Sequence, residues 1–279
     1  MRKSIMKKLL AVLLATVMTM SLLTACGGSK TAQTTEAADT TETAKATDAT
    51  GSQALADGVL TVGTNAEFPP FEYVNDNGEP DGFDIALIKA IGKKLGVTVE
   101  VENMEFASLL SSTGSKIDVS IAGMTVTEER KESVDFSDSY YEAVQYVILP
   151  EGSEIATADD LKNKAIGVQL GTTGDFIASD IEGATVSQYN KAVDAVNDLI
   201  NGRVECVIID KNPALVFEEK FEGQITAIDG AQFAVEPEQY AIAMPKGDAA
   251  LVEQVNAALA EIKADGTFDK LVKTYIEEE

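Results

Sequence analysis

Along residues 59–122, short apolar runs that are typical of strands alternate with stretches in which apolar residues have helical spacing. The helical spacing places Leu87, Ile88, Ile91 and Leu95 on one face of a helix that Gly96 ends. The predicted strands are 59–64, 97–101 and 117–122, the predicted helices are 84–95 and 108–116, and a loop is predicted over 65–80. Strands that alternate with helices in this way are typical of βαβ units and a mostly parallel sheet.

The same alternation begins again after Pro150. The predicted strands are 165–169 and 204–209, and the predicted helices are 158–162, 175–180, 192–201 and 213–221. Two amphipathic helices follow, with Leu251, Val255, Leu259 and Ile262 on one face and Phe268, Leu271, Val272 and Tyr275 on another. We therefore expect an α/β protein of two lobes, in which loops at the carboxyl ends of strands face a shared cleft.

The first 25 residues have the pattern of a secretory signal, because four basic residues precede a short apolar stretch at 9–23. The segment Leu23-Thr24-Ala25-Cys26 resembles the lipobox of bacterial lipoproteins. This resemblance implies cleavage before Cys26 and acylation of that cysteine, which would anchor the chain to the extracytoplasmic face of the cell membrane. The alternatives are an uncleaved anchor or ordinary secretion. Residues 27–54 show no hydrophobic periodicity, so we expect a disordered tether there.

Composition excludes several classes of function. The formal net charge of −24 opposes binding to nucleic acid. The chain contains no histidine, which removes histidine-based acid–base chemistry and histidine metal ligands, and we expect neither a metal nor another cofactor. Cys206 lies in an apolar run and would be the only cysteine besides Cys26, so we expect it to be a small buried hydrophobe outside any disulfide framework.

Four segments carry polar residues just beyond predicted strands. They are Gly63–Glu72, Ala122–Arg130, Gly167–Gly174 and Val207–Asp210. Together with Gly82-Phe83-Asp84, Asp135-Phe136-Ser137-Asp138 and Gln239-Tyr240-Ala241, they resemble the polar-amino-acid substrate-binding proteins of ABC importers, which have the type II periplasmic-binding fold. The resemblance covers nearly all of residues 60–275. It implies a monomeric, non-enzymatic protein that closes around an amino acid and delivers it to the permease subunits of a transporter.

The resemblance also implies the positions of the lobes and of the hinge. One lobe would comprise residues 55–142 and 238–279, and the other residues 143–237. The chain would cross between them near residues 141–145 and 235–240. The amino acid would bind first to the lobe that carries Arg130, and the second lobe would then swing in.

Individual side chains take roles from the same resemblance. Arg130 would bind the ligand α-carboxylate with its planar guanidinium, and Asp210 would pair with the α-ammonium. The other implied contacts are Gly123 and Thr125 with the α-amino and carboxylate groups, Thr172 and Thr173 with the carboxylate at a helix start, Phe68 and Phe106 as flanking aromatic rings, Asn65 and Gln169 as side-chain selectors, and Glu67 and Glu72 as possible anions.

Each of these residues also has an ordinary structural interpretation. Arg130 alone would be a helix-surface partner of Glu128 or Glu129, and Asp210 a turn or helix cap. Phe68 and Phe106 would be plain core residues. The stretch from Thr125 to Glu128 also has the form of a capping box. Only the joint occurrence of the motifs in family order favours the binding role.

The charges in the four segments restrict the ligand. Arg130 is their only cation, so an acidic ligand side chain would lack a partner, and we predict that glutamate and aspartate are not the ligand. The amides of Asn65 and Gln169 suit glutamine, whereas an inward Glu67 or Glu72 would favour arginine or lysine. Two other functions remain open: a dehydratase on the same scaffold, with one of these two glutamates as general acid, and a sensor that acts through a partner.

Overall fold

The computed structural model describes residues 52–277 of the 279-residue chain. The predicted signal, Cys26 and most of the predicted tether lie outside the described residues. None of the helices within the described range is both long and apolar enough to cross a membrane.

Strands and helices alternate through the described range. The strands are β1 (Val59–Thr64), β2 (Glu67–Phe68), β3 (Glu72–Val74), β4 (Pro80–Asp81), β5 (Thr98–Asn103), β6 (Val119–Ser120), β7 (Val134–Phe136), β8 (Tyr141–Ala143), β9 (Gln145–Pro150), β10 (Ala165–Gln169), β11 (Thr185–Tyr189), β12 (Cys206–Asp210), β13 (Ile225–Asp229), β14 (Glu238–Tyr240) and β15 (Ala243–Pro245). The helices are α1 (Phe83–Leu95), α2 (Leu109–Ser112), α3 (Glu128–Ser133), α4 (Thr173–Asp180), α5 (Ala192–Ile200), α6 (Lys211–Lys220), α7 (Ala249–Ala264) and α8 (Thr267–Tyr275), with 3₁₀ turns at Gln53–Leu55, Phe106–Ser108, Ala158–Leu161 and Gly230–Phe233.

Two five-stranded sheets form the centres of two lobes. The first sheet has the order β5-β1-β6-β15-β7, and the second has the order β11-β10-β12-β9-β13. The strand pairings leave one strand in each sheet, β15 and β9, antiparallel to the other four. The predicted two-lobed α/β architecture is therefore confirmed.

The chain passes between the sheets twice. It leaves the first sheet after β7 and enters the second at β9 through β8, and it returns from β13 to β15 through β14. The two connecting strands pair with each other, Tyr141 opposite Tyr240 and Ala143 opposite Glu238. Both connections lie where the sequence predicts the hinge; the lobe boundaries themselves stay a prediction.

Helices cover the sheets through the apolar faces that the sequence predicts. In α1, Leu87, Ile88 and Ile91 are fully buried, and Gly96 ends the helix in a left-handed conformation at φ 75°. The predicted face of α7 is likewise buried, and α7 packs on α1. Cys206 is buried in β12, and burial raises the pKa of its thiol to about 12, as befits a small hydrophobe.

Several predicted elements differ from the structure. The helix predicted over 108–116 is only a 3₁₀ turn followed by α2, because the chain leaves the helical conformation at Thr113. The loop predicted over 65–80 contains the small antiparallel sheet β2-β3-β4. Three of the five strands of the second sheet, β9, β11 and β13, have no counterpart among the predicted strands, and β9 is the antiparallel member of that sheet.

Candidate ligand-binding cavity

A small cavity lies between the two sheets, at the carboxyl ends of β1, β6, β10 and β12. Its lining residues are Asn65, Phe68, Phe106, Ala122, Gly123, Thr125, Arg130, Gln169, Thr172, Thr173 and Asp210. Ten of the twelve ligand-binding residues predicted from the sequence are among them. The parallel strands explain this convergence, because their carboxyl ends meet at one edge of each sheet.

Arg130 is held inside the protein by its own helix. Thr127 caps α3 by accepting a hydrogen bond from the Arg130 amide at 3.1 Å, which fixes Arg130 in the first turn. The guanidinium donates from Nη1 to the Thr125 carbonyl at 2.7 Å and from Nη2 to the Gly171 carbonyl at 3.0 Å. These bonds use two of its five N–H groups and leave the others for a ligand anion.

The surroundings of the guanidinium are aromatic and acidic. Its central carbon lies 5.6 Å from the ring centre of Phe106 and 5.9 Å from that of Phe176. Burial lowers the pKa of Arg130, while the negative charges of Glu238 and Asp210 oppose that shift. The side chain is only 5% exposed, so the interpretation of Arg130 as a surface partner of Glu128 or Glu129 is wrong.

Asp210 ends β12 and turns its carboxylate into the cavity. It occupies the N-cap position of α6, yet its side chain makes no capping hydrogen bond, and it accepts a short hydrogen bond from the Tyr240 hydroxyl instead. Burial, followed by repulsion from Glu238, raises the pKa of Asp210 to about 7. The cavity therefore presents one guanidinium and one carboxylate from the two sides of the cleft.

Backbone groups complete this end of the cavity. The amide of Gly123 donates to the Asp84 carboxylate at 2.8 Å, and a Cβ at this left-handed position (φ 51°) would lie 3.0 Å from the Phe68 ring. On the other side, Thr172 caps α4 by accepting from the Asp175 amide at 3.3 Å. The free N–H groups of the first turn of α4 are therefore close to the cavity wall that Thr172 and Thr173 form.

Two amides and two aromatic rings also line the cavity. Asn65 donates from Nδ2 to the Met104 carbonyl at 2.9 Å, and Gln169 donates from Nε2 to the Asn190 carbonyl at 3.1 Å. The same Gln169 nitrogen donates to Asn65 Oδ1 at 2.8 Å, which joins the two sides of the cleft. Phe68 and Phe106 line the cavity beside these amides.

Two predicted site residues do not line the cavity. Glu67 precedes Phe68 in β2 and points the other way, where it forms an ion pair with Lys191 at 2.6 Å. Glu72 is fully buried beside Asp84, and the two carboxyl groups form a hydrogen-bonded pair. Burial and the Asp84 charge raise the pKa of Glu72 well above its usual range, and burial raises that of Asp84 to about 6.

The sequence interpretation missed several residues at the site. Ala122 and Phe176 carry no polar signal, Glu238 lies in a connection that was assigned only to the hinge, and Tyr240 belongs to a motif to which no ligand role was given. The capping box predicted at Thr125 is also wrong, because the Thr125 hydroxyl donates to Glu238 at 2.7 Å and Thr127 caps the helix. No cluster of three or more potential metal ligands occurs within residues 52–277.

Comparisons with known proteins agree with this geometry. Residues 60–278 match the profile of the bacterial extracellular solute-binding proteins, family 3. An arginine-binding extracellular protein of Bacillus subtilis is 34% identical over 97% of this chain and 98% of its own length. Other curated relatives carry names that give histidine, cystine or glutamine as their ligand.

Solved structures show the same fold. An ancestral arginine-binding protein bound to arginine is 42% identical, with a TM-score of 0.74 over 78% of this chain and 98% of its own. An ancestral amino acid-binding protein described as a precursor of cyclohexadienyl dehydratase is 33% identical, with a TM-score of 0.72 over 80% of this chain and 97% of its own.

Proposed function

The chain belongs to the bacterial extracellular solute-binding proteins of family 3, and on this premise we propose that it captures an L-amino acid in the cavity and delivers it to an ABC importer. The observation that carries the proposal is the meeting of Arg130 and Asp210 in one buried cavity. The guanidinium binds the α-carboxylate and the aspartate binds the α-ammonium. Because the two groups come from opposite sides of the cleft, they hold one zwitterion together only when the cleft is closed.

We further propose that the ligand has a donor-rich side chain. Neither Glu67 nor Glu72 faces the cavity to supply a counter-charge, so the choice of arginine rests on the balance of hydrogen-bond donors and acceptors and on the aromatic rings. The hydrogen bonds of Gln169 commit its amide nitrogen and leave Oε1 free among the described residues, while Asn65 keeps one N–H and one lone pair of Oδ1. On these two amides, free acceptors therefore outnumber free donors. A guanidinium offers only donors and packs favourably on an aromatic face such as that of Phe68. A second carboxylate would meet no buried cation there, which again argues against glutamate and aspartate.

A panel of ligands tests this proposal. We expect titration calorimetry to give the tightest binding for arginine, weaker binding for lysine, histidine, glutamine and cystine, and the weakest for glutamate. Tightest binding by glutamine would keep the amino-acid function and overturn the choice of arginine. Tightest binding by glutamate would contradict the account of the cavity's charge, and failure of every amino acid to bind would contradict the function itself.

The positions of the carboxyl groups near the cavity favour a binding protein over a dehydratase. A dehydratase needs a carboxyl group beside the leaving group of its substrate. The sequence offered Glu67 and Glu72 as this acid, and neither lines the cavity. Glu67 forms an ion pair with Lys191, and Glu72 is fully buried. Asp210 is already bound by Tyr240 and is needed for the ammonium.

We also propose that the protein is a monomeric lipoprotein anchored through Cys26 at the extracytoplasmic face of the cell membrane. The support is the lipobox-like segment Leu23-Thr24-Ala25-Cys26 after a basic and apolar leader. Cys26→Ser is expected to move the protein from the membrane fraction to the soluble fraction while arginine binding stays unchanged. Retention of this variant in the membrane fraction would contradict the anchor.

A further inference from the structure

Glu238, the first residue of β14, binds hydroxyl groups from both sides of the cleft. Its Oε2 accepts hydrogen bonds from Thr125 Oγ1 at 2.7 Å and from Thr173 Oγ1 at 2.8 Å, and Gln145 Nε2 lies 3.4 Å away. Thr125 follows β6 of the first sheet, whereas Thr173 begins α4 beside the second. Glu238 is half-buried and stands behind these two threonines, which themselves line the cavity.

These hydrogen bonds determine what the threonines can offer a ligand. A carboxylate only accepts hydrogen bonds, and a threonine hydroxyl has a single proton. Thr125 and Thr173 have therefore both given their protons to Glu238. Thr125 keeps both lone pairs, while Thr173 keeps one because it also accepts from Gln145 at 3.2 Å. In this arrangement neither hydroxyl can donate to a ligand carboxylate, and both can accept from an ammonium.

The charges at this end of the cavity lead to the same conclusion. Glu238 and Asp210 are two carboxylates beside a single guanidinium, that of Arg130. The site is therefore negative when all three groups are ionised. A ligand ammonium restores neutrality inside the closed cleft, and a ligand that carries only a carboxylate does not.

We propose that Glu238 is a positioning residue that makes Thr125 and Thr173 acceptors and thereby selects ligands with an α-ammonium group. The proposal rests on the function proposed above. Glu238 does not line the cavity itself, and it acts on the ligand through Thr125 and Thr173, which do. The hydroxyl of Thr125 is the main acceptor, since it has the larger number of free lone pairs.

The test compares arginine with δ-guanidinovalerate, which is arginine without its α-amino group. Calorimetry would measure both affinities for the wild type, Glu238→Ala, Glu238→Gln and the control Glu236→Gln, an exposed acid of the same connection. Glu238→Ala frees both hydroxyl protons and removes the charge, so the preference for arginine should fall about tenfold. Glu238→Gln keeps the shape, removes the charge and should lower the preference in the same direction, whereas Glu236→Gln should keep the wild-type ratio.

The outcomes separate the two proposals. A merely structural role for Glu238 would weaken both ligands equally and leave their ratio unchanged, and that result in Glu238→Ala and Glu238→Gln would overturn the inference. If Glu238→Ala does not fold, the near-isosteric Glu238→Gln decides alone. Failure of the wild type to bind arginine would instead contradict the proposed specificity and, with it, the role of Glu238 that rests on it.

Discussion

At the scale of single residues, the protonation of Asp210 is the property of the empty cavity that bears most directly on ligand binding. A buried carboxylate is costly, and here Glu238 adds repulsion, so the pKa of Asp210 rises to about 7 despite the hydrogen bond from Tyr240. Around neutral pH a large part of the empty protein thus carries a proton on Asp210. In the proposed function, an arriving ligand ammonium would replace this proton, because it stabilises the ionised form.

Arginine binding should therefore depend on pH. Below a pKa of about 7 the ligand must displace a proton from Asp210, and each further pH unit costs up to about tenfold in affinity. We expect the dissociation constant to rise roughly tenfold or more between pH 7.5 and 5.5. The charged or titratable groups that interact with this carboxylate include Arg130, Glu238, Tyr240, Tyr141 and Glu72.

The control for this pH dependence is Asp210→Asn, which has no titrating carboxyl group at this position. It should bind arginine more weakly at neutral pH and show little change over the same interval. Calorimetry at several pH values measures both proteins. A wild-type affinity that stays constant from pH 7.5 to 5.5 would contradict the assignment of Asp210 to the ammonium.

At the scale of elements, local patterns were enough to predict the parallel framework. The strands β1 and β10 have the predicted bounds, and α1 and α7 bury the predicted faces. Each has a strong local cause, such as a β-branched run, an apolar helical face or a terminal glycine. The four segments at the cavity follow β1, β6, β10 and β12, and a strand was predicted at each of these positions, which is why most of the site residues could be predicted.

Other elements depend on contacts that are distant in sequence. Thr125 and Thr127 both precede Glu128 and look alike as caps, and only the contact of Thr125 with Glu238, 113 residues away, distinguishes them. Glu67 and Phe68 are adjacent, so the face that the short strand β2 turns to the cavity decides which of them lines it. A strand of two residues is too short to show an alternation of apolar and polar positions, so the sequence alone does not predict which side chain faces the cavity.

At the scale of the whole molecule, the cleft is closed by contacts that cross from one side to the other. Arg130 donates to Gly171, Gln169 to Asn65, and Lys191 pairs with Glu67. Glu238 accepts hydrogen bonds from Thr125 on one side of the cleft and from Thr173 on the other. A zwitterion bound to Arg130 and Asp210 would add a further link of the same kind, so that ligand binding stabilises the closed arrangement.

The central claim is that Arg130 binds the α-carboxylate of an amino acid inside this cleft. Its most direct test is calorimetric titration of arginine into the wild type, Arg130→Ala and the control Arg203→Ala, which removes an exposed arginine paired with Asp198. Removing one partner of a buried charge pair costs about 2–5 kcal/mol, so Arg130→Ala should bind roughly 30-fold more weakly or worse. Arg203→Ala should match the wild type. An affinity of Arg130→Ala within about threefold of the wild type would contradict the claim.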